Sequence, residues 1–207
     1  MPKPANKPII AVDIDDVISN QNENIRLFIN RRYGHDHTPE DYLKVDAPYW
    51  HYWAHVWEVT KEEHDRRVDE YNGSEELVKQ PVAPGAIEAL KKLKQDYELV
   101  IITSRKGVYL DQTHQWLDKH FKSVFSGIHF SRLKEGAPEL TKASICKDIG
   151  ASYLIDDNPG HCNLAAETGV QALLFGFYGW NKNAELHPGV KRVRDWPQVL
   201  EYFDGRG

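Results

Sequence analysis

The sequence predicts an α/β protein: a parallel sheet of about five strands with helices on both faces, and a small helical segment inserted after the first strand. Three observations carry that expectation. Short apolar runs rich in β-branched residues recur, they alternate with stretches of helical periodicity, and the one long interruption contains helix signals but no convincing strand. At 207 residues, 41% of them hydrophobic and 11% aromatic, the chain is large enough to bury a full core.

The first run is Ile9-Ile10-Ala11-Val12-Asp13-Ile14-Asp15-Asp16-Val17. Its apolar part reads as a strand buried on both faces, and it ends abruptly in carboxylates. Asp13 and Asp15 flank Ile14, so an extended backbone sends both acids to one side. Two carboxylates there repel unless a cation holds them, and Mg2+ is suited to such oxygen ligands. An acidic turn after a strand is the plainer alternative.

Helical spacing then takes over at Ile25, Phe28 and Ile29 and stops near Tyr33-Gly34. Thr38 followed by Pro39 marks the next helix start, as N-cap and first helical residue. The most aromatic stretch of the chain, residues 48–57, comes next. Aromatics at helical spacing usually pack in a core, but the flat faces of Trp50 and Trp53 also suit stacking on a base or ring. Thr60-Lys61-Glu62-Glu63 fits a capping box, opening a polar helix to about Tyr71 that Asn72-Gly73 ends. Ser74-Glu75-Glu76-Leu77 begins one more short helical piece. Residues 19–80 therefore read as a helical insertion, with residues 1–18 and 81–207 forming the α/β core.

Beyond the insertion the alternation is regular. Pro84-Gly85 leads into a helix with Ile87, Leu90 and Leu93 on one face, followed by the strand Leu99-Val100-Ile101-Ile102. Helices are expected over residues 109–121, 143–149 and 160–168, and near 197–203. Strands are expected over 127–130, 153–155 and 171–175.

Composition removes several function classes. A net charge of −5 offers no basic field for a polynucleotide. No run approaches the length needed to span a bilayer, and the first eight residues lack the apolar core of a signal peptide, which leads us to expect a cytoplasmic protein. Cys146 and Cys162 form neither a CxxC pair nor a disulfide framework. The ten histidines show no compact ligand spacing of the HExxH kind, so a histidine-based metal site is not expected. No GxGxxG follows the first strand and no GxxxxGK[ST] occurs, which argues against dinucleotide and P-loop folds.

Parallel strands place their carboxyl ends on one edge, where ligands collect in open α/β sheets. Asp13 and Asp15 leave the first strand, Thr103-Ser104-Arg105 the second, and Asp156-Asp157 the fourth. Lys142, at the start of the preceding helix, returns its amine to the same edge. Each has an ordinary explanation alone; their joint order is what points to a site. A carboxylate can attack phosphorus while a neighbouring acid protonates the leaving oxygen. Hydroxyl and ammonium groups with Mg2+ then stabilise the phosphoryl oxygens.

On these residues the chain resembles the haloacid dehalogenase (HAD) superfamily of aspartate-nucleophile phosphohydrolases, whose four motifs match Asp13-Ile14-Asp15, Thr103, Lys142 and Asp156-Asp157. Within it, Tyr33-Gly34, Thr103-Ser104-Arg105, Tyr178-Gly179-Trp180-Asn181 and Arg194-Asp195-Trp196 resemble the deoxyribonucleotidase-like 5'-nucleotidases. The resemblance implies a Rossmann-like core with a small helical cap between the first two motifs. It implies Asp13 as nucleophile, Asp15 as general acid and later base, and Thr103, Ser104 and Lys142 as phosphate ligands. Mg2+ would be held by Asp13, the backbone carbonyl of Asp15, and Asp156 or Asp157, with Asp157 favoured. The acid at position 15 favours phosphate chemistry, because dehalogenases of the superfamily need no proton donor there. Two departures stand out: Asp16 replaces a frequent glycine, and Lys147 rivals Lys142, which is preferred because Thr141 can cap there.

The expected function is a Mg2+-dependent phosphomonoesterase for a small phosphorylated metabolite, with a nucleoside 5'-monophosphate leading and a sugar phosphate or other small ester as rival. Arg105 is expected either to contact substrate or to pair with an acid of the insertion. A non-catalytic module binding a phosphorylated ligand is the alternative from a different class.

Overall fold

In a computed structural model, which describes residues 7–133 and 140–206, six strands form one sheet. They are β1 (Ile9–Val12), β2 (Glu98–Lys106), β3 (Gly127–Arg132), β4 (Ala151–Asp156), β5 (Gln171–Phe175) and β6 (Val190–Val193). Their order is β3-β2-β1-β4-β5-β6, and every neighbouring pair is parallel. The first six residues of the N-terminal segment lie outside the described residues.

The sheet has one strand more than expected. β6 is an edge strand of four residues, two of them charged, so it carries no apolar run to announce it. The second strand is also longer than expected, running through Thr103-Ser104-Arg105 to Lys106 with a register shift after Thr103. These three residues therefore sit on the strand and not beyond its end.

Among the described residues ten α-helices follow in chain order: α1 (Gln21–Tyr33), α2 (Pro39–Lys44), α3 (Tyr52–Trp57), α4 (Lys61–Asn72), α5 (Glu76–Lys79), α6 (Ala86–Leu93), α7 (Leu110–His120), α8 (Lys142–Ile149), α9 (Pro159–Glu167) and α10 (Trp196–Phe203). Strand alternation explains how the core divides. Ile10 and Val12 point to one face, against α6, α7 and α10 through Leu90, Trp116 and Trp196. Ala11 points to the other, against α8 and α9 through Ile145 and Ala165. Helices thus cover both faces, as a parallel sheet requires.

Helices α1 to α4 pack around a third apolar cluster that includes Phe28, Tyr42, Tyr52, Trp57 and Tyr71, and α5 packs against α4 and α7. Their ends obey the expected local rules. Thr38 and Thr60 accept hydrogen bonds from Asp41 N and Glu63 N, and Gly34, at φ +69°, closes α1 in the left-handed conformation. The chain enters and leaves this group of helices side by side: Asn20 N donates to Pro81 O (2.9 Å) and Ala83 N to Ile18 O (2.9 Å), around an antiparallel bridge between Ser19 and Val82. Among the described residues no helix is long and apolar enough to cross a membrane.

Candidate active site

The strand register explains why distant acids meet. Val12 lies level with Ile101 on one side and Ile155 on the other, so Asp13 comes out beside Asp156, and Asp13 N donates to Ile155 O at 3.0 Å. This is the point where the strand order reverses direction, β1 turning one way to β2 and the other to β4. Such a switch point opens a crevice at the carboxyl edge.

Lys142 reaches the same point from α8. Thr141 caps that helix by accepting from Ser144 N (3.0 Å), which puts Lys142 in the first turn, where side chains lean back past the helix end. Its ammonium lies 2.8 Å from Asp13 Oδ2 and donates to Asp156 Oδ2 at 2.7 Å, with the lysine only 1% exposed. Lys147 is exposed in the last turn of the same helix, away from these acids. Of the two lysines, only Lys142 is brought to the aspartates.

The two members of the Asp156-Asp157 pair are used differently. Both oxygens of Asp156 are engaged, Oδ2 by Lys142 and Oδ1 by Asn158 N at 2.9 Å. Asp157 Oδ2 accepts from Trp180 Nε1 (2.9 Å), whereas its Oδ1 is buried without a hydrogen-bond partner among the described residues. Burial pushes Asp13 up to about 6 against the pull of Lys142, and burial with the Asp156 charge pushes Asp157 well up. Burial works on Asp156 too, but Lys142 and His161 outweigh it and hold that carboxyl below its usual range. The donor oxygens of Asp13, Asp156 and Asp157 lie within 4.8 Å of one another. An orphaned carboxylate oxygen beside two more carboxylates fits a hard divalent cation such as Mg2+.

Asp15 is held by a different cation. Arg105 donates from Nε to Asp15 Oδ2 (2.9 Å) and from Nη2 to Oδ1 (2.5 Å), a two-pronged pairing, and Ser19 Oγ adds a bond at 3.3 Å. Arg105 Nη2 also donates to Gln80 Oε1 at 2.7 Å. The expected pairing of Arg105 with an acid of the insertion is thereby corrected: its carboxylate partner is Asp15, and its link to residues 19–80 is the amide of Gln80. Thr103 is fully buried and its Oγ1 accepts from Arg105 N (3.2 Å), while Ser104 reaches the adjoining cavity.

Asp16, the departure from glycine, has a local explanation. It adopts φ +57°, a conformation that aspartate tolerates better than most residues, and its carboxylate accepts from Asn22 N at 2.8 Å in the first turn of α1. Tyr178 OH donates to its carbonyl at 2.9 Å. An acid here thus replaces glycine's freedom with a bond to the start of the next helix.

Above Asp13 and Asp15 lies a cavity of about 440 Å³, whose wall includes Trp50 and Trp53. The aromatic stretch is divided. Tyr52 and Trp57 are core, each 3% exposed, whereas Trp50 is 52% exposed and Trp53, partly buried, donates from Nε1 to Asn22 Oδ1 at 2.8 Å.

Three contributors were not among the residues the sequence singled out for the site. Gln80, at the end of the helical group, also donates to Tyr71 OH (2.9 Å) and accepts at its carbonyl from Trp116 Nε1 (2.8 Å). Trp180 and Asn181 stand in a segment notable only for resemblance; Asn181 Nδ2 donates to Asp157 O at 3.0 Å, so with Trp180 it fixes that acid. Gly179 permits their approach, because a Cβ there would collide with Tyr52 and the Val45 carbonyl.

Comparisons with known proteins agree with this geometry. A family model described as 5' nucleotidase, deoxy (pyrimidine), cytosolic type C protein matches residues 7–203. A Bacillus subtilis protein provisionally assigned as a nucleotidase, YqfW, is 22% identical over 198 residues, covering 94% of this chain and 93% of its own. The haloacid dehalogenase-like hydrolase SP0104 of Streptococcus pneumoniae superposes with a TM-score of 0.67 at 19% identity, over 95% of this chain and 98% of that one. YfnB of Bacillus subtilis, a HAD-hydrolase candidate solved bound to magnesium, gives a TM-score of 0.66 at 10% identity, over 97% of this chain and all (100%) of that one.

Proposed function

We propose that this chain, which belongs to the deoxy (pyrimidine) cytosolic type C 5'-nucleotidase family and is thus a HAD-superfamily phosphoric monoester hydrolase, releases phosphate from a nucleoside 5'-monophosphate in the cytoplasm through an aspartyl-phosphate on Asp13. Family membership replaces the non-catalytic alternative. The observation that carries the rest is the pairing of a buried Asp13, which lines the cavity, with Lys142 and, close by, the orphaned Asp157 oxygen.

Residues 19–80 serve as the cap in this reading, and residues 1–18 and 81–207, so far as they are described, as the core. Asp13 Oδ attacks phosphorus in line, the P–O bond to the leaving group breaks, and Asp15 gives that oxygen a proton. Asp15 then takes a proton from water, whose oxygen attacks phosphorus and returns Asp13 as a free carboxylate. Arg105 engages both Asp15 oxygens, so to donate a proton in the first half Asp15 must turn from the guanidinium towards the cavity. Lys142 screens Asp13 and supports charge on the phosphoryl oxygens, with Ser104 and Thr103 assigned as lesser phosphate contacts. Mg2+, held by Asp13, the Asp15 carbonyl and Asp157, supplies positive charge to the phosphoryl group when bound. Asp157 is preferred over Asp156 because its Oδ1 is uncommitted.

The cavity supports a substrate larger than phosphate itself, since about 440 Å³ lies within the range of small-ligand sites. Trp50 and Trp53 offer ring faces in its wall for a base. The test is a panel of phosphate esters read as kcat/KM, with and without chelator, in the natural chain and in Asp13→Asn. Nucleoside monophosphates should lead, and activity should vanish with chelator and with the substitution. Sugar phosphates leading the panel would overturn the nucleotide assignment; unchanged turnover in Asp13→Asn would overturn the nucleophile.

A further inference from the structure

The same cavity carries a second set of metal-type donors that the aspartate chemistry does not use. His51, His64 and Asp65 each offer one ligand atom, all within 4.8 Å of one another. All three line the cavity that Asp13 and Asp15 also line. We propose that these three residues form a second divalent-cation site, selective for a first-row transition metal such as Mn2+, Co2+ or Zn2+ over Mg2+, in the wall of the cavity.

The donor geometry supports it. His64 Nδ1 lies 2.9 Å from Asp65 Oδ1, and His51 Nε2 lies 3.8 Å from the same oxygen. With metal–ligand bonds of about 2.1 Å, donors at right angles stand about 3 Å apart and tetrahedral ones about 3.4 Å, so small side-chain rotations close the set. Two imidazole nitrogens with one carboxylate oxygen suit borderline cations, whereas Mg2+ prefers oxygen alone.

The surroundings prepare the ligands. Lys61 Nζ donates to Asp65 Oδ2 at 2.8 Å, which leaves Oδ1 for a cation and orients the carboxylate from behind. Without metal, His64 and Asp65 share a hydrogen bond; on binding, the neutral ring carries its single proton on Nε2 in place of Nδ1, which frees Nδ1 for the cation. Three protein ligands leave coordination positions open, as in metal sites that accept water or substrate. The set was hidden in the sequence because His51 precedes α3 while His64 and Asp65 lie on α4, so no short spacing connects them.

The test uses Co2+ as a spectroscopic probe on the full chain, with Zn2+ as competitor, in the natural protein, Asp157→Asn, His51→Ala and His64→Gln. Nitrogen-ligated Co2+ should show visible absorption that Zn2+ abolishes and that survives in Asp157→Asn. Loss of a direct ligand in His51→Ala or His64→Gln should weaken Co2+ binding by at least the roughly 10–100-fold seen for outer-shell changes. His51 is 37% exposed, so its variant keeps the test valid should the buried His64 change unfold the chain. Unchanged binding in His51→Ala, loss of the signal in Asp157→Asn alone, or no nitrogen-type spectrum at any Co2+ concentration would overturn the assignment.

Discussion

Replacing Arg105 with methionine removes the cation that holds Asp15 while keeping much of the side-chain volume. Arg105 is 4% exposed at the side chain and Asp15 15%, so the carboxylate left behind recovers little hydration. Breaking a buried pair from one side costs about 3–5 kcal/mol, and the residual access of Asp15 puts this case near about 3 kcal/mol. Gln80 Oε1 loses its donor as well, adding about 1 kcal/mol. A loss near 4 kcal/mol lowers Tm by about 8–16 °C in a chain of this size. The assay is urea denaturation at neutral pH, run as a double-mutant cycle with Asp15→Asn.

In that cycle the double variant should be about 2 kcal/mol more stable than the sum of the singles predicts, because the second change removes the uncompensated charge. Arg105→Lys should retain part of the stability, since an ammonium keeps the charge but not the planar fork that serves both Asp15 oxygens. A cost below about 1 kcal/mol for Arg105→Met, or single effects that add within about 0.5 kcal/mol, would refute the idea that this pairing organises Asp15.

Other outcomes follow from the same geometry. Asp16→Ala should be less stable than Asp16→Gly by about 1 kcal/mol in a denaturant melt, since both lose the Asn22 bond but alanine alone meets the left-handed backbone penalty. Lys142→Met should abolish phosphate release while Lys147→Met leaves it within about twofold, as only Lys142 touches Asp13. Trp50→Ala should raise KM for nucleoside monophosphates about tenfold, one stacking contact being worth about 1–3 kcal/mol, and leave a small alkyl phosphate unchanged. Asp41, lowered to about 2 by the backbone and hydroxyl of Thr38, should show that midpoint in an NMR titration. Because its folded value lies below the unfolded one, its capping contribution is complete above about pH 4 and fades as pH falls towards 2; Thr38→Val should move the midpoint upwards.

The core was legible because its signals are local. Ile9 to Val12 and Leu99 to Ile102 each form an apolar run, and a parallel sheet turns the end of every such run into a point on one edge. Asp13 and Asp156 could be placed together from their distance to a strand end alone, and Lys142 from its position after a capping threonine. β6 escaped because an edge strand with Lys191 and Arg192 has no apolar run to find. The partner of Arg105 escaped for another reason: Asp15 is 90 residues away, and nothing in the strand pattern distinguishes a guanidinium aimed at Asp15 from one aimed at substrate.

The helical group is where local reading gives out, and it is also where substrate choice resides in the proposed function. Thr38, Gly34 and Thr60 show where its helices begin and end, but the sequence does not say which faces meet. That depends on the packing of Tyr52, Val56 and Trp57 around Phe28 and Tyr71, which turns Trp50, His51 and His64 into the cavity and keeps Trp57 out of it. Strand ends carry the phosphate chemistry in an order that can be read along the chain, whereas the cavity wall takes its chemistry from helix faces that only tertiary packing selects. A sequence with the same aspartates and a repacked helical group would therefore keep its reaction while changing its ligand, so substitutions that separate ligand choice from turnover should cluster in residues 49–69 and not at the sheet edge.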